Sequence, residues 1–213
     1  MTVLRFAAAA AAALATTAPA AAFTISNIET SDVGLWGSGN VPIHGQTFEA
    51  PAVNVLDTAR FTIDDGGDDI AFAAYLYAWD DAARSVDGGP LGSVLGLSTG
   101  ALDVKTDYQV DFGGVPLTPG EDYVVFFEAL SEGQAIWSYG PAGGYGDGAF
   151  RYLQATLADV GDEWGPGFDG DLDFTFAFSE PAAPSSDVPV PAALPLFAAA
   201  LGAFGLVRSR RRA

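Results

Sequence analysis

The chain has 213 residues, no cysteine, 49% hydrophobic content and a formal net charge of −18, which is enough apolar material for one sizeable core. Between Phe23 and Asp187 four basic residues face 27 acidic ones, a net charge of −23; a surface of that sign repels phosphate backbones and lacks the clustered Lys/Arg footprint that nucleic-acid binding needs. Without cysteine there are no disulfides, thiolate metal sites or thiol nucleophiles, a composition that suits an exported bacterial protein folding without oxidative help.

Residues 1–22, "MTVLRFAAAAAAALATTAPAAA", carry one positive charge at Arg5, an alanine-rich run from Phe6 to Ala15, and small residues after it. This is the build of a secretory signal peptide. Ala20 and Ala22 satisfy the small-x-small pattern for cleavage before Phe23, and Ala18 with Ala20 offers a nearly equal site two residues earlier. The run is too short to cross a hydrocarbon core of about 30 Å, so removal rather than anchoring is expected.

Residues 23–179 read as one all-β ectodomain. From Val53 to Ile63 the residues Val53, Val55, Ala59, Phe61 and Ile63 alternate with Asn54, Thr58, Arg60 and Thr62, the period-two pattern of a half-buried strand. "DIAFAAYLYAWD" follows after "DDGG", Asp64–Gly67, and the two runs are expected to form a hairpin through that turn. Further strands are expected at Phe23–Ile28, Thr47–Ala50, Leu91–Leu97, Tyr108–Phe112, Asp122–Leu130, Ala135–Tyr139, Ala149–Ala155 and Leu172–Ser179. Helical periodicity shows only briefly, around Ala155–Val160, and nothing repeats at a fixed period. Many short strands punctuated by Gly and Pro predict a two-sheet β-sandwich of jelly-roll type.

Three chemistries can be weighed on residues of the body. "GLSTG", Gly96–Gly100, matches the elbow that presents a hydrolase serine, here Ser98, but the following "ALDVKTDYQV" is no helix and the one histidine, His44, lies upstream. A carboxylate pair for glycoside hydrolysis needs a geometry that sequence does not measure. No catalytic residue is assigned, and the protein is expected not to be an enzyme. Calcium, a hard cation that takes oxygen ligands, could be held by Asp64, Asp65, Asp68 and Asp69, against which stands a solvated acidic turn. Asp169, Asp171, Asp173 and Glu180 have EF-hand spacing, yet Phe174 stands where glycine is needed and Leu172, Phe174, Phe176 and Phe178 alternate, so that segment is expected to be a strand. Aromatic rings are the third feature. Tyr75, Tyr77 and Trp79 share a strand face, with Trp36, Trp137, Tyr139, Tyr145 and Trp164 expected in loops, and such rings can stack on sugars. Trp79, Trp137 and Trp164 are the candidate glycan-stacking residues; Tyr75 and Tyr77 are expected to fill the core, and Trp79 to be the more exposed ring.

The carboxyl end names a destination. Residues 180–191, Pro-, Ala- and Ser-rich, read as an extended linker. Residues 192–207 are 16 uncharged residues that as a helix would reach about 24 Å, enough to cross a bilayer. Residues 208–213 bring Arg208, Arg210, Arg211 and Arg212, which by the positive-inside rule stop transfer and stay cytoplasmic. Together "VPVPAALPLFAAALGAFGLVRSRRR" resembles the VPLPA-type PEP-CTERM sorting signal, a proline motif, helix and Arg cluster, over about the last 26 residues. The motif would be Val188, Pro189, Val190, Pro191 and Ala192, with Val190 where the family usually has Leu. The resemblance implies an inner-membrane precursor anchored by its C-terminal helix, cut near the motif by an exosortase-type transpeptidase, and passed to the cell surface or an exopolysaccharide matrix. A plain anchor that is never cut is the alternative. The runs Phe48–Asp80 and Leu117–Ala129 also look similar to uncharacterised secreted domains that precede such tails.

Two functions are therefore expected to compete: an exported non-enzymatic surface or matrix protein of structural or adhesive role, and a carbohydrate-binding module, calcium-assisted, attached to exopolysaccharide. A groove with two or more coplanar exposed rings would favour the second.

Overall fold

A computed structural model describes residues 22–28, 31–64, 68–100, 104–141, 144–165 and 170–182. The signal peptide but for Ala22, the sorting motif Val188–Ala192, the helix at 192–207 and the Arg cluster lie outside the described residues. Among those described, no helix is long and apolar enough to cross a membrane.

The described residues form twelve strands and one 3-10 turn, in order: β1 Ala22–Asn27, β2 Ser31–Trp36, β3 Ile43–Glu49, β4 Val55–Asp64, β5 Ala71–Asp80, β6 Ser85–Ser98, β7 Thr106–Pro116, β8 Asp122–Ala129, β9 Ala135–Pro141, β10 Phe150–Leu153, η1 Leu157–Asp159, β11 Gly170–Leu172 and β12 Phe174–Ser179. They make two antiparallel sheets. One runs β10-β3-β8-β5-β6; the other runs β1-β12-β4-β9-β11, with β7 on the free flank of β4 and β2 on β9. The architecture is the expected all-β two-sheet sandwich. Around Asp173 the second sheet changes partner: the amide of Asp173 donates to Ser138 and its carbonyl accepts from Thr62, so β9 enters where β4 ends.

The expected hairpin of β4 with β5 does not form. β4 pairs with β7, β12 and β9, whereas β5 pairs with β6 and β8, so the chain crosses from one sheet to the other between them. Alternation alone does not distinguish a turn within a sheet from a crossing between sheets. The inward face of β4 is also changed at one end. The register against β7 slips between Leu56 and Thr58, and this bulge puts Leu56 rather than Val55 in the core with Ala59, Phe61 and Ile63, because one extra residue reverses the side-chain parity.

β2 and the first half of β3 were not expected as strands, since "SDVGLWGSGNVPIHGQ" is dense in turn formers. Two of its glycines have a local cause. Gly34, at φ +49, lies at a register slip between β2 and β9. A Cβ on Gly45 would come within 2.7 Å of the Phe126 Cβ and 2.9 Å of the Val125 carbonyl, so the close approach of β3 to β8 excludes a side chain there. Around Ala155–Val160 the helical signal resolves to the single 3-10 turn η1.

Facing residues of the two sheets form the inner cluster: Phe48, Phe72 and Phe127 from one sheet meet Phe61, Trp137 and Phe176 from the other. A second cluster lies on the outer face of the first sheet, where Tyr75, Tyr77, Trp79 and Phe126 are covered by Trp164.

Candidate functional site

The expected stacking platform is absent from the surface. Trp79, Trp137 and Trp164 are 7%, 0% and 1% exposed. Trp137 is not in a loop but on β9, facing inward between His44 and Phe61 at ring distances of 5.5 and 5.0 Å. Trp36 is likewise a buried β2 residue. Trp164 stands edge-on to Phe126 and Trp79 at 5.2 and 5.5 Å. Tyr75 and Tyr77 are buried as expected, yet in the outer cluster rather than between the sheets. The physical reason is the same in each case: a chain that buries both faces of one sheet draws its largest apolar rings inward, since each contributes ~1.5–3 kcal/mol when covered.

Concave surface lies instead at the end of the sandwich where β5 finishes and β8 begins. Register pairing of Ala78 with Tyr123 brings "DD" at Asp80–Asp81 beside "ED" at Glu121–Asp122. The result is an open cleft of about 560 Å³ whose rim includes Asp80, Asp81, Asp87, Glu121 and Asp122. A second cleft of about 280 Å³ shares Trp79, Asp81 and Asp122 with it and adds Glu49, Asp147 and Arg151. Burial first, then the charges of Asp81, Glu49 and Glu121, raise the Asp122 carboxyl above its ordinary range. Beside the second cleft, burial and then Asp147 push the Tyr145 hydroxyl up to about 12. Trp79 is the one tryptophan that reaches both clefts, but its ring is already engaged. Its Nε1 donates to Asp81 at 3.3 Å, the Arg151 guanidinium lies 6.0 Å from its ring centre, and Arg151 also reaches Asp81 at 3.4 Å. These acids were not singled out in the sequence because only long-range register brings the two pairs together.

The acidic turn proposed for calcium is partly described. Asp64 ends β4 and Asp65 lies outside the described residues. The Asp68 carboxylate accepts the Gln134 amide at 2.9 Å, and Asp69 accepts the Ser98 hydroxyl at 2.6 Å and the Gly100 amide at 3.1 Å. These bonds tie the acidic segment to the chain at and just after the end of β6 and just before β9. Ser98 therefore ends β6 as a turn residue bonded to Asp69. Among the described residues no group of three or more His, Asp or Glu is arranged to hold a metal ion. Asp171, from the EF-hand spacing, lies in β11 as a strand residue and is buried, accepting from Gln46 at 2.8 Å and from the Tyr145 amide at 2.9 Å.

Two polar groups sit deep in the inner cluster. His44 is fully enclosed, edge-on to Trp137 and Phe150, and burial alone lowers its pKa to about 3. Its Nδ1 and the Nε1 of Trp137 have no hydrogen-bond partner among the described residues.

No protein-family model matches the chain, and no curated protein does. Among solved structures it is similar to the crystal structure of the cysteine protease and lectin-like domains of Cwp84, a surface layer associated protein of Clostridium difficile. The identity is 13%, the TM-score 0.42, and the match covers 66% of this chain and 32% of that one. The chain thus matches about a third of that structure's length.

Proposed function

We propose that this chain is an exported, non-enzymatic cell-surface or extracellular-matrix protein of structural or adhesive role, delivered through its C-terminal sorting signal. The body is read as a jelly roll, a reading supported by the way the chain passes between sheets from β3 to β4, β4 to β5, β6 to β7, β7 to β8 and β8 to β9. Export rests on the signal peptide of residues 1–22. Transient anchoring rests on the helix at 192–207 and its arginines, with an exosortase-type transpeptidase as the processing partner. The observation that carries the structural role is the inward turn of the tryptophans: the clefts are rimmed by carboxylates, with no pair of exposed coplanar rings among the described residues to hold a sugar.

Mass spectrometry of the surface-located protein tests the sorting step. A carboxyl terminus near Pro191 or Ala192 is expected; an intact end at Arg212 and Ala213 would leave a plain membrane anchor.

The position of Trp79 between the two clefts supports a second reading, a carbohydrate-binding module attached to exopolysaccharide. A glycan array run with calcium and with chelator at matched ionic strength separates the two. Retention of one glycan class would replace the structural role with this one.

A further inference from the structure

The segment from Gln154 to Gly165 crosses the outer face of the β10-β3-β8-β5-β6 sheet as a strap. It contains one three-residue 3-10 turn with no buried residue. Ala155, Leu157 and Val160 are only half-buried, and Trp164 is the one ring it buries. Beneath it lies a row of rings. Tyr75 and Tyr77 flank Phe126 at 5.2 and 5.6 Å with interplanar angles of 31° and 26°, and Trp164 stands on Phe126 at 72°.

The strap is fastened mainly by polar clips. In its first half the Leu157 amide donates to the Glu128 carboxylate at 2.7 Å, and Glu128 is itself buried on this face. In its second half the Trp164 amide donates to the Arg84 carbonyl at 2.8 Å, while the Arg84 guanidinium pairs with Glu163. Arg84 holds φ at +51, the one non-glycine residue with positive φ among those described, a backbone state that persists only where surroundings fix it. Trp164 Nε1 bonds within the strap, to the Val160 carbonyl at 2.8 Å, so that bond travels with the strap. Gly165 closes the end on the Tyr152 carbonyl at 2.9 Å. Only the Gly165 end meets a residue that packs on the inner cluster, Tyr152 of the edge strand β10; the other clips stay on the outer face.

We infer that Gln154–Gly165 is a latch that opens as a unit while the sandwich stays folded, with Glu128 and Arg84 as its two catches and the Tyr75–Phe126–Tyr77 row as the surface it uncovers. A short irregular segment with few buried side chains and polar fastenings belongs to the low end of the local stability range. Its loss leaves all twelve strands paired. The latch is independent of the sorting route and of the role proposed above.

Hydrogen exchange on the full-length chain in detergent micelles, at rising urea below the unfolding transition, tests it. The amides of Leu157, Trp164 and Gly165 should exchange at least about 100-fold faster than those of Val125 and Phe127 in β8, with a much shallower urea dependence, as a small opening requires. Glu128→Gln should speed the strap amides about tenfold and leave the β8 amides unchanged. Glu163→Gln, at an exposed position, should give a smaller acceleration in the same direction. Trp164→Ala should raise the fluorescence of the apolar dye ANS with β8 protection intact. Strap amides that exchange at the β8 rate with the β8 urea slope, or variants that lose strap and β8 protection together, would overturn the latch.

Discussion

The two aromatic clusters of this protein are built from similar side chains and held in opposite ways. The inner one is enclosed by two sheets, and its rings interlock across them: Phe61 meets Phe127 at 5.0 Å and Phe48 meets Phe176 at 4.9 Å. The outer one has a sheet on one side and an irregular strap on the other. In the inner cluster every ring depends on both sheets, so its loss is a loss of the fold. In the outer cluster half of the cover can leave at the cost of a few hydrogen bonds and one buried tryptophan. The amount of apolar surface buried is thus a poor guide to how firmly it is held; the regularity of the cover decides.

The comparison is tested most severely by truncating one tryptophan in each cluster. Trp137→Ala should destabilise the whole protein by about 4 kcal/mol, from lost transfer energy and the cavity left behind. Trp164→Ala should cost about 2 kcal/mol, because the strap can detach rather than leave a void. Urea unfolding measures both, and equal losses would break the distinction. Acid should next single out the inner cluster. The unfolded chain protonates His44 near its ordinary value of 6.5, the folded protein not until about 3. Stability therefore falls as pH drops below 6.5, by up to about 1.4 kcal/mol per pH unit, or about 3 kcal/mol at pH 4. His44→Phe should remove this part of the slope, and a stability–pH curve unchanged by it would show that His44 is not the group responsible.

Among the described residues the outer face of the other sheet bears no strap, and its contribution should be smaller again. There Arg60 forks between Asp107 at 2.6 Å and the buried Asp173 at 3.1 Å. Burial opposes ionisation of Asp107, but the Thr62 hydroxyl and Arg60 more than offset this and hold its carboxyl below the ordinary range. Arg60→Ala should cost about 1–2 kcal/mol, chiefly by leaving Asp173 buried without that partner, with discount for solvent at the exposed Asp107 end. The smallest effect is expected at the cleft. Arg151→Ala, which removes its contacts to Asp81 and the Trp79 ring, should cost about 0.5 kcal/mol and become harder to detect as salt is added. A melting series in rising salt checks that ordering.

Sheet class was readable from sequence because the signal is local: β12 alternates in its own residues, and β5 and β8 are short apolar runs buried on both faces. Partner choice was not. "DDGG" reads as a hairpin turn, yet the sheet that receives β5 is set by its pairing with β8, some fifty residues on. The same limit hid the clefts, whose acids converge through the pairing of β8 with β5 and with β3. It also misplaced the tryptophans, since a ring that can stack on a sugar is the same ring that best fills a core, and nothing within a few residues of Trp137 or Trp164 distinguishes the two uses. β2 was missed for another reason: glycines required by a bulge resemble glycines required by a turn.

The last described strand is also an inner strand of its sheet. β12 runs between β1 and β4, paired with both, and Ala22 at the start of β1 stands opposite Ser179. A pull applied to the chain beyond Ser179 along the strand axis would load the hydrogen bonds on both flanks of β12 together, in shear, instead of peeling an edge strand open one bond at a time. Mechanical resistance to a pull at that end is thus set by the order of strands in the sheet, and a load applied there would be shared by two ladders in parallel.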